Sequence, residues 1–309
     1  MSETRGTQGN GRSVQDGPSE TAMATATMRA MAACDAREEI RGPDFLAEVF
    51  LTEDRRAPLR DPTVWQWVMK NKIVPGAYEF MIARTVYFDH LVRDALARRL
   101  PQLVLLGAGY DSRPYRFREL AAHTTIFELD AAPTQARKKD VLRTESIAEP
   151  AHLVFAPTDF ARDDLRGVLL QAGFARDERA LFVWEGVTYY LTSKAVDETL
   201  GAIRALSPAG SSICFDYASL LAETLVEEGI KKLRELMRSD HPGEPTKFGI
   251  PKGELAEFLS TRGYEVIENL GPSEIEARYL TLRDGSTIGK PPALFSLVHA
   301  AMVATERRL

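Results

Sequence analysis

Two cysteines in 309 residues, Cys34 and Cys214, exclude a disulfide framework, and neither stands at a metal-ligand spacing. Cys214 falls in an apolar run and reads as a small core residue. Five histidines, none paired four residues apart, supply no zinc helix. No apolar run approaches the length of a membrane span. The start, Met1-Ser2-Glu3-Thr4-Arg5-Gly6, has no apolar segment behind it, so no signal peptide is expected. An excess of basic charge is also lacking. The net charge of −5 removes the general footprint of a nucleic-acid binder. The compact basic run Arg137-Lys138-Lys139 reads as a solvated helix face. These absences point to a soluble, cytoplasmic protein without metal, membrane or nucleic-acid partner.

What is present is an ordinary globular composition, 44% hydrophobic and 27% charged, in a chain long enough to build a large core without staples. Residues 1–19 are rich in Gly, Ser, Thr and Gln and read as a disordered tail. Residues 20–309 read as a single domain, with a helical cap over 20–100 and an alternating core over 101–309. In the cap, Met23, Met28 and Met31 share a helical face. Pro43, Pro58, Pro62 and Pro75 punctuate the helices that follow. Tyr78 to Arg99 form a long amphipathic helix carrying Phe80, Ala83, Tyr87, Leu91 and Ala95, and Pro101 follows it.

Strands are expected at 102–108, 124–130, 152–158, 180–185, 211–217, 264–270 and 295–303. Helical segments between them favour a parallel sheet with crossovers. The last connection has little helix signal and much Gly and Pro, which suits a final antiparallel strand. The expected fold is therefore α/β and Rossmann-like, with a seven-stranded, mostly parallel sheet. Residues 218–250 carry Leu220, Leu225, Ile230, Leu233, Leu236 and Met237 at helical spacing, as an extra packing helix or a lid.

The densest signal is LVLLGAGYDSRPY, residues 103–115. Leu103-Val104-Leu105-Leu106 has no polar alternation, as in a strand buried on both faces. Gly107-Ala108-Gly109 then permits a tight turn with bare backbone for a ligand. Such a turn after a first strand is where doubly wound sheets bind nucleotides. A dinucleotide fingerprint would place Gly or Ala three residues after the second glycine, and Ser112 stands there. Asp111 is also poorly suited to a pyrophosphate. S-adenosylmethionine, with a sulfonium, an ammonium and no phosphate, suits that acid better.

The second strand, Thr125-Ile126-Phe127-Glu128-Leu129-Asp130, ends in acids. Glu128 falls about twenty residues after the turn, where a carboxylate accepts two ribose hydroxyls. Asp130 is the alternative, and sequence alone leaves the two open.

Five separated motifs resemble the leucine carboxyl methyltransferase family and its bacterial O-methyltransferase relatives, including those that modify polyketides. They are Ala83-Arg84-Thr85-Val86-Tyr87-Phe88-Asp89, LVLLGAGYDSRPYRF, IFELDAAPTQARKKDVL, FAPTDFARDDL and FVWEGVTYYLT. The resemblance is dense from about residue 78 to 216. It is looser around Gly249-Ile250-Pro251 and Arg262-Gly263-Tyr264-Glu265-Val266. It implies the Rossmann-like methyltransferase fold and S-adenosyl-L-methionine as cofactor.

The resemblance also implies roles. Arg84 pairs with the cofactor carboxylate, which a guanidinium fork matches. Gly107, Ala108 and Gly109 back the methionine portion, and Asp111 lies near its ammonium. Glu128 and Leu129 border the ribose. Thr158, Asp159 and Phe160 flank the adenine. Glu185 faces the methionine end from the fourth strand, and Tyr190 matches the family tyrosine and is the catalytic candidate. Ser112 stands where the family has Thr. No segment matches those with which eukaryotic members grip a phosphatase, which favours a small-molecule or peptide substrate.

Together these imply O-methylation of a natural product, at a carboxylate or a hydroxyl. A carboxylate is ionised at neutral pH and needs no base, whereas a phenol or alcohol benefits from one. Tyr189, Tyr190, His90 and Asp216 are the candidates by position. The other readings are an NAD(P)-dependent oxidoreductase, for which the third glycine is missing, and a non-catalytic cofactor-binding protein.

Overall fold

The long apolar runs become strands whose side chains divide between two core layers. Leu103, Leu105, Ile126, Leu181, Val183 and Cys214 pack on one face of the sheet. Val104, Leu106, Phe127, Leu129, Phe182, Trp184 and Phe215 pack on the other. Burial on both faces explains why these runs lack polar alternation. The computed structural model describes residues 17–220 and 247–304.

Four helices precede the sheet: α1 (Glu20–Ala33), α2 (Glu53–Arg60), α3 (Pro62–Asn71) and α4 (Ala77–Ala97). Alternation then begins with β1 (Gln102–Leu106), α5 (Arg113–Arg116), β2 (Thr125–Asp130), α6 (Ala132–Thr144), β3 (Leu153–Pro157) and α7 (Leu165–Gln171). It continues through β4 (Ala180–Trp184), α8 (Ser193–Leu206), β5 (Ser212–Leu220), β6 (Ile250–Pro251), α9 (Leu255–Ser260), β7 (Tyr264–Leu270), α10 (Pro272–Ile275) and β8 (Phe295–Met302).

The strand order is β3-β2-β1-β4-β5-β8-β7, and the two-residue β6 pairs with the end of β5. Strands β1 to β5 pair in parallel, while β8 runs antiparallel between β5 and β7. The expected seven-stranded sheet with a reversed last strand is thus present. The chain leaves β1 in one direction for β2 and β3 and returns on the other side for β4 and β5. That reversal opens a crevice at the carboxyl ends of β1 and β4, the ligand position of open α/β sheets.

Local chemistry sets the helix starts. Ser19 caps α1 by accepting from the Ala22 amide at 3.1 Å. Asp61 caps α3 from the Thr63 amide at 2.7 Å, with Pro62 in the first turn. Helix α4 is buried over most of its surface and carries charged Arg84 and Asp89 inside.

Of the expected 1–19 tail, residues 1–16 lie outside the described residues. So do 221–246 of the expected 218–250 insertion; Ala218–Leu220 extend β5 and Ile250 opens β6. The 271–294 connection holds α10 and a π-helical turn at Glu276–Leu280, more helix than its Gly and Pro content suggested. Their apolar anchors Ile275 and Leu280 are fully buried, so packing overrides weak local preference. Among the described residues, no helix is long and apolar enough to cross a membrane.

Candidate active site

The glycine turn is tied to the end of β2. Gly107 and Ala108 donate backbone N–H groups to the Leu129 carbonyl at 2.8 and 3.0 Å. The Gly109 N–H donates to Asp130 Oδ2 at 2.6 Å, and the Ala131 N–H to Asp130 Oδ1 at 2.7 Å. Gly107 and Gly109 have φ of +68° and +51°, the left-handed region that disfavours a Cβ. A Cβ on Gly107 would also lie 2.5 Å from Val187 Cγ2. Gly107→Ala is therefore expected to destabilise the fold by about 1–3 kcal/mol, read as a lower urea midpoint. An unchanged midpoint would show that the turn tolerates a side chain.

Behind the turn lies a charged cluster. Glu185, at the end of β4, pairs with three guanidiniums: Arg29 of α1, Arg84 Nε at 3.0 Å and Arg113 Nη1 at 2.8 Å. Burial pushes the Glu185 carboxyl up, but Arg29, Arg113 and Arg84 outweigh it and hold the group well below the usual carboxylate range. Arg113 also bonds Asp111 Oδ2 and Asp89 Oδ1, each at 2.7 Å. Arg116 makes a two-pronged contact with Asp89 at 2.6 and 2.9 Å. Arg84 Nη1 donates to Asp216 Oδ2 at 2.9 Å, while Asp216 Oδ1 accepts the Gly186 N–H at 2.6 Å.

Three N–H groups in this cluster, Arg29 Nε, Arg84 Nε and Arg113 Nη2, are buried without an aligned acceptor, although Arg84 Nε lies 3.0 Å from Glu185 Oε1, and Glu185 Oε2 is buried without an aligned donor. Buried donors of this kind are costly unless something accepts from them. A ligand carboxylate is the matching group.

Glu128 and Lys138 sit deeper. Both are fully buried, and Lys138 Nζ lies 2.7 and 2.8 Å from the two Glu128 oxygens. Nζ also donates to the Asp111 carbonyl at 2.6 Å. Burial raises the Glu128 carboxyl, and the adjacent ammonium opposes that rise. The ribose role expected for Glu128 therefore meets a barrier, because no part of it is exposed. Asp130, two residues on, shares its face of β2, lies at the strand end and holds the turn. The expectation of a solvated 137–139 face holds for exposed Lys139, in part for half-buried Arg137, and is corrected at Lys138. Lys138 neutralises a buried acid, Lys139 lies 4.0 Å over the Phe155 ring, and Arg137 donates to the Phe50 carbonyl at 3.0 Å.

Just past β3, Thr158 is buried, with its N–H on the Asp130 carbonyl at 2.8 Å. Asp159 is half-buried and accepts from the Ala161 N–H at 2.9 Å. Phe160 packs partly buried against the second core layer. Asp111 is turned inward, accepting from Arg113 through both oxygens.

A cavity of about 640 Å³ lies between the cap and Arg84. Helix α1 contributes Thr21, Ala24, Thr25 and Met28 to it. Phe80, Tyr189, Tyr190 and Phe295 form an aromatic wall, and Trp67 and Lys72 of the α3 region lie on its rim. A shallower groove of about 1350 Å³ between α8 and β7 lies at the opposite end of the parallel strands. Only the first adjoins the charged cluster.

The family model for leucine carboxyl methyltransferase matches residues 22–204. The chain belongs to the leucine carboxyl methyltransferase family. A Frankia alni protein named as an S-adenosyl-L-methionine-dependent methyltransferase is 34% identical over 206 residues, 66% of this chain and 70% of its own. A similarly named Bacillus subtilis (strain 168) protein, YktD, is 29% identical over 220 residues, 71% of each chain. Among solved structures, a Thermobifida fusca protein named as a methyltransferase aligns with TM-score 0.55 and 18% identity over 93% of this chain and 96% of its own, a likeness of fold. This family member is an S-adenosylmethionine-dependent methyltransferase, and the nicotinamide alternative falls.

The family match spans the glycine turn, Asp130, Asp159 and Glu185, and it includes Arg29. Sequence reasoning gave Arg29 no role, because it stands among Ala, Met and Thr with no motif around it. Arg113, Arg116 and Asp89 lay inside quoted motifs, yet their mutual pairing needs the fold. Of the base candidates, His90 is exposed on α4, outside the cavity lining. Asp216 is fully buried as the anchor of Arg84. The Tyr189 hydroxyl accepts from Arg84 at 3.3 Å and donates to Asp216 at 3.4 Å, and burial raises its pKa well above normal. Tyr190 is half-buried on the cavity wall.

Proposed function

We propose that this enzyme methylates an oxygen of a small, largely apolar molecule, a natural-product carboxylic acid in preference to a phenol. The observation that carries this is the titratable content of the cavity lining. Among the described residues, the lining contains no histidine, and its one carboxylate, Asp54, is exposed. Tyr189 is held protonated, so it is no base at neutral pH. An acceptor already ionised needs none of these. The volume of about 640 Å³ and the aromatic wall support a small acceptor.

When bound, S-adenosylmethionine would supply the electrophilic methyl of its sulfonium to an acceptor oxygen in line, with the neutral thioether as leaving group. The chain's part is to hold the two partners in line and to exclude water. No proton moves when the acceptor is a carboxylate. The guanidiniums of Arg84 and Arg113, the latter with Nη2 lacking an acceptor, fit the cofactor carboxylate. The bare backbone at Gly107, Ala108 and Gly109 fits its methionine portion, with Asp111 and Glu185 behind. Asp130 fits the ribose hydroxyls beside Leu129, and Asp159 and Phe160 fit the adenine beside Thr158.

The test is transfer of a labelled methyl group to matched apolar carboxylic acids and phenols. Alkali releases methanol from a methyl ester and leaves an aryl ether intact. Base-labile product, with a rate nearly flat from about pH 6 to 9, is expected for an acceptor ionised throughout. Base-stable product, with a rate that climbs with acceptor ionisation, would assign phenol methylation instead. Transfer to no acceptor, despite cofactor binding, would favour a binding protein.

A further inference from the structure

Helix α1 belongs to two sites at once. On one side it covers the glycine turn. A Cβ placed on Gly109 would lie 3.1 Å from Ala22 Cβ. The Ser19 N–H donates to Thr134 Oγ1 at 3.1 Å, just beyond Asp130. On its other side, Thr21, Ala24, Thr25 and Met28 line the 640 Å³ cavity. Near its last turn, Arg29 reaches Glu185 within the guanidinium cluster.

The helix has 14 residues, mostly Ala, Thr and Met. A helix of that length has little stability by itself, so docking decides where it lies. Its other charged contact, Glu20 with Arg55 at 3.0 Å, is solvent-exposed and contributes little. Arg29 is different. It is 7% exposed, its partner is shared with two further arginines, and its Nε lacks an acceptor.

We propose that Arg29 is a positioning residue that couples the cofactor site to the acceptor cavity. A carboxylate bound at the cluster fixes Arg29, Arg29 fixes α1, and α1 completes the acceptor wall. This rests on reading the 640 Å³ cavity as the acceptor site. Linkage then makes the effect mutual: each ligand tightens the other by the same factor. The cofactor binds first in the productive order, because the acceptor wall is complete only with α1 in place.

The test uses the full-length protein, with S-adenosylhomocysteine as cofactor-site ligand and 8-anilinonaphthalene-1-sulfonate as a flat aromatic cavity probe. In the wild type, saturating S-adenosylhomocysteine should slow amide exchange over residues 20–33 and tighten the probe about tenfold. In Arg29→Ala both effects should vanish while S-adenosylhomocysteine still binds through the remaining contacts. Arg29→Lys should restore part of the coupling, and it serves if the alanine variant does not fold. In turnover, Arg29→Ala should raise the acceptor KM by a larger factor than it lowers kcat.

A wild type that binds S-adenosylhomocysteine yet shows neither effect overturns the coupling. So does Arg29→Ala with coupling intact. Failure of the wild type to bind S-adenosylhomocysteine would overturn the cofactor-site reading instead. Met28→Trp, which fills the cavity, should weaken the probe. An unchanged probe affinity would remove the cavity reading, and hydrogen exchange would still decide whether Arg29 ties α1 to the cluster.

Discussion

Glu185→Gln is expected to lose about 3–5 kcal/mol of stability at neutral pH, the usual cost of breaking a buried ion pair from one side. Glutamine keeps the volume and removes the charge. Three guanidiniums then share the cluster without the carboxylate that faces them all. Arg84 retains Asp216, and Arg113 retains Asp89 and Asp111, so the loss is partial for those two. Arg29 has no second ion pair among the described residues and loses most.

The pH dependence follows from the depressed folded pKa of Glu185. An unfolded glutamate titrates near 4.3. The stabilisation is therefore full well above that value and is lost as the pH falls through it towards the folded value. Glutamine does not titrate. The gap in urea midpoint between wild type and variant should be widest at pH 7, begin to narrow below about pH 5, and shrink further at pH 4. A gap of constant size would mean that Glu185 stabilises by packing rather than by charge. Affinity for S-adenosylhomocysteine should fall as well, since Arg29 and Arg113 lose the group that orients them.

The sheet was legible because unbroken apolar runs bounded by Gly and Pro have few alternatives to buried strands. Leu103–Leu106 and Leu181–Trp184 divide their side chains between two layers, which is what such a run requires. The glycine turn was legible for the same kind of reason: only Gly sits easily at the φ values of 107 and 109. The charged cluster was legible only in pieces. Asp89, Arg113 and Glu185 lie far apart in sequence, and no periodicity says that their side chains converge. Lys138 shows the limit most clearly. A three-residue basic run usually faces water, and the acid that draws Lys138 inward is ten residues away on another element. Arg29 carried no local signal, because its importance comes from where α1 docks.

The choice between Glu128 and Asp130 illustrates the same limit, and it yields the sharpest test of the cofactor site. Two residues apart on one strand, they share a face, so alternation does not separate them. Depth along the strand does. Glu128 pairs across β1 with Leu105, inside the sheet, whereas Asp130 lies one residue beyond the Leu106–Leu129 pair, level with the turn. Asp130 accepts from the Gly109 and Ala131 amides, one through each oxygen, and a carboxylate can take about four donors in all. Asp130→Ala should therefore weaken S-adenosylhomocysteine by about 10- to 100-fold, the worth of a charge-assisted hydrogen bond, with a modest further loss from a looser turn. Glu128→Gln should do the reverse. It leaves Lys138 buried without its counter-charge and should cost about 3 kcal/mol of stability, while the folded fraction binds the ligand with affinity near that of the wild type. Calorimetric titration and urea unfolding on both variants separate the two. If Glu128→Gln lost the ligand and Asp130→Ala kept it, the strand end would have to open enough for Glu128 to leave Lys138, and the ribose contact would return to the deeper acid.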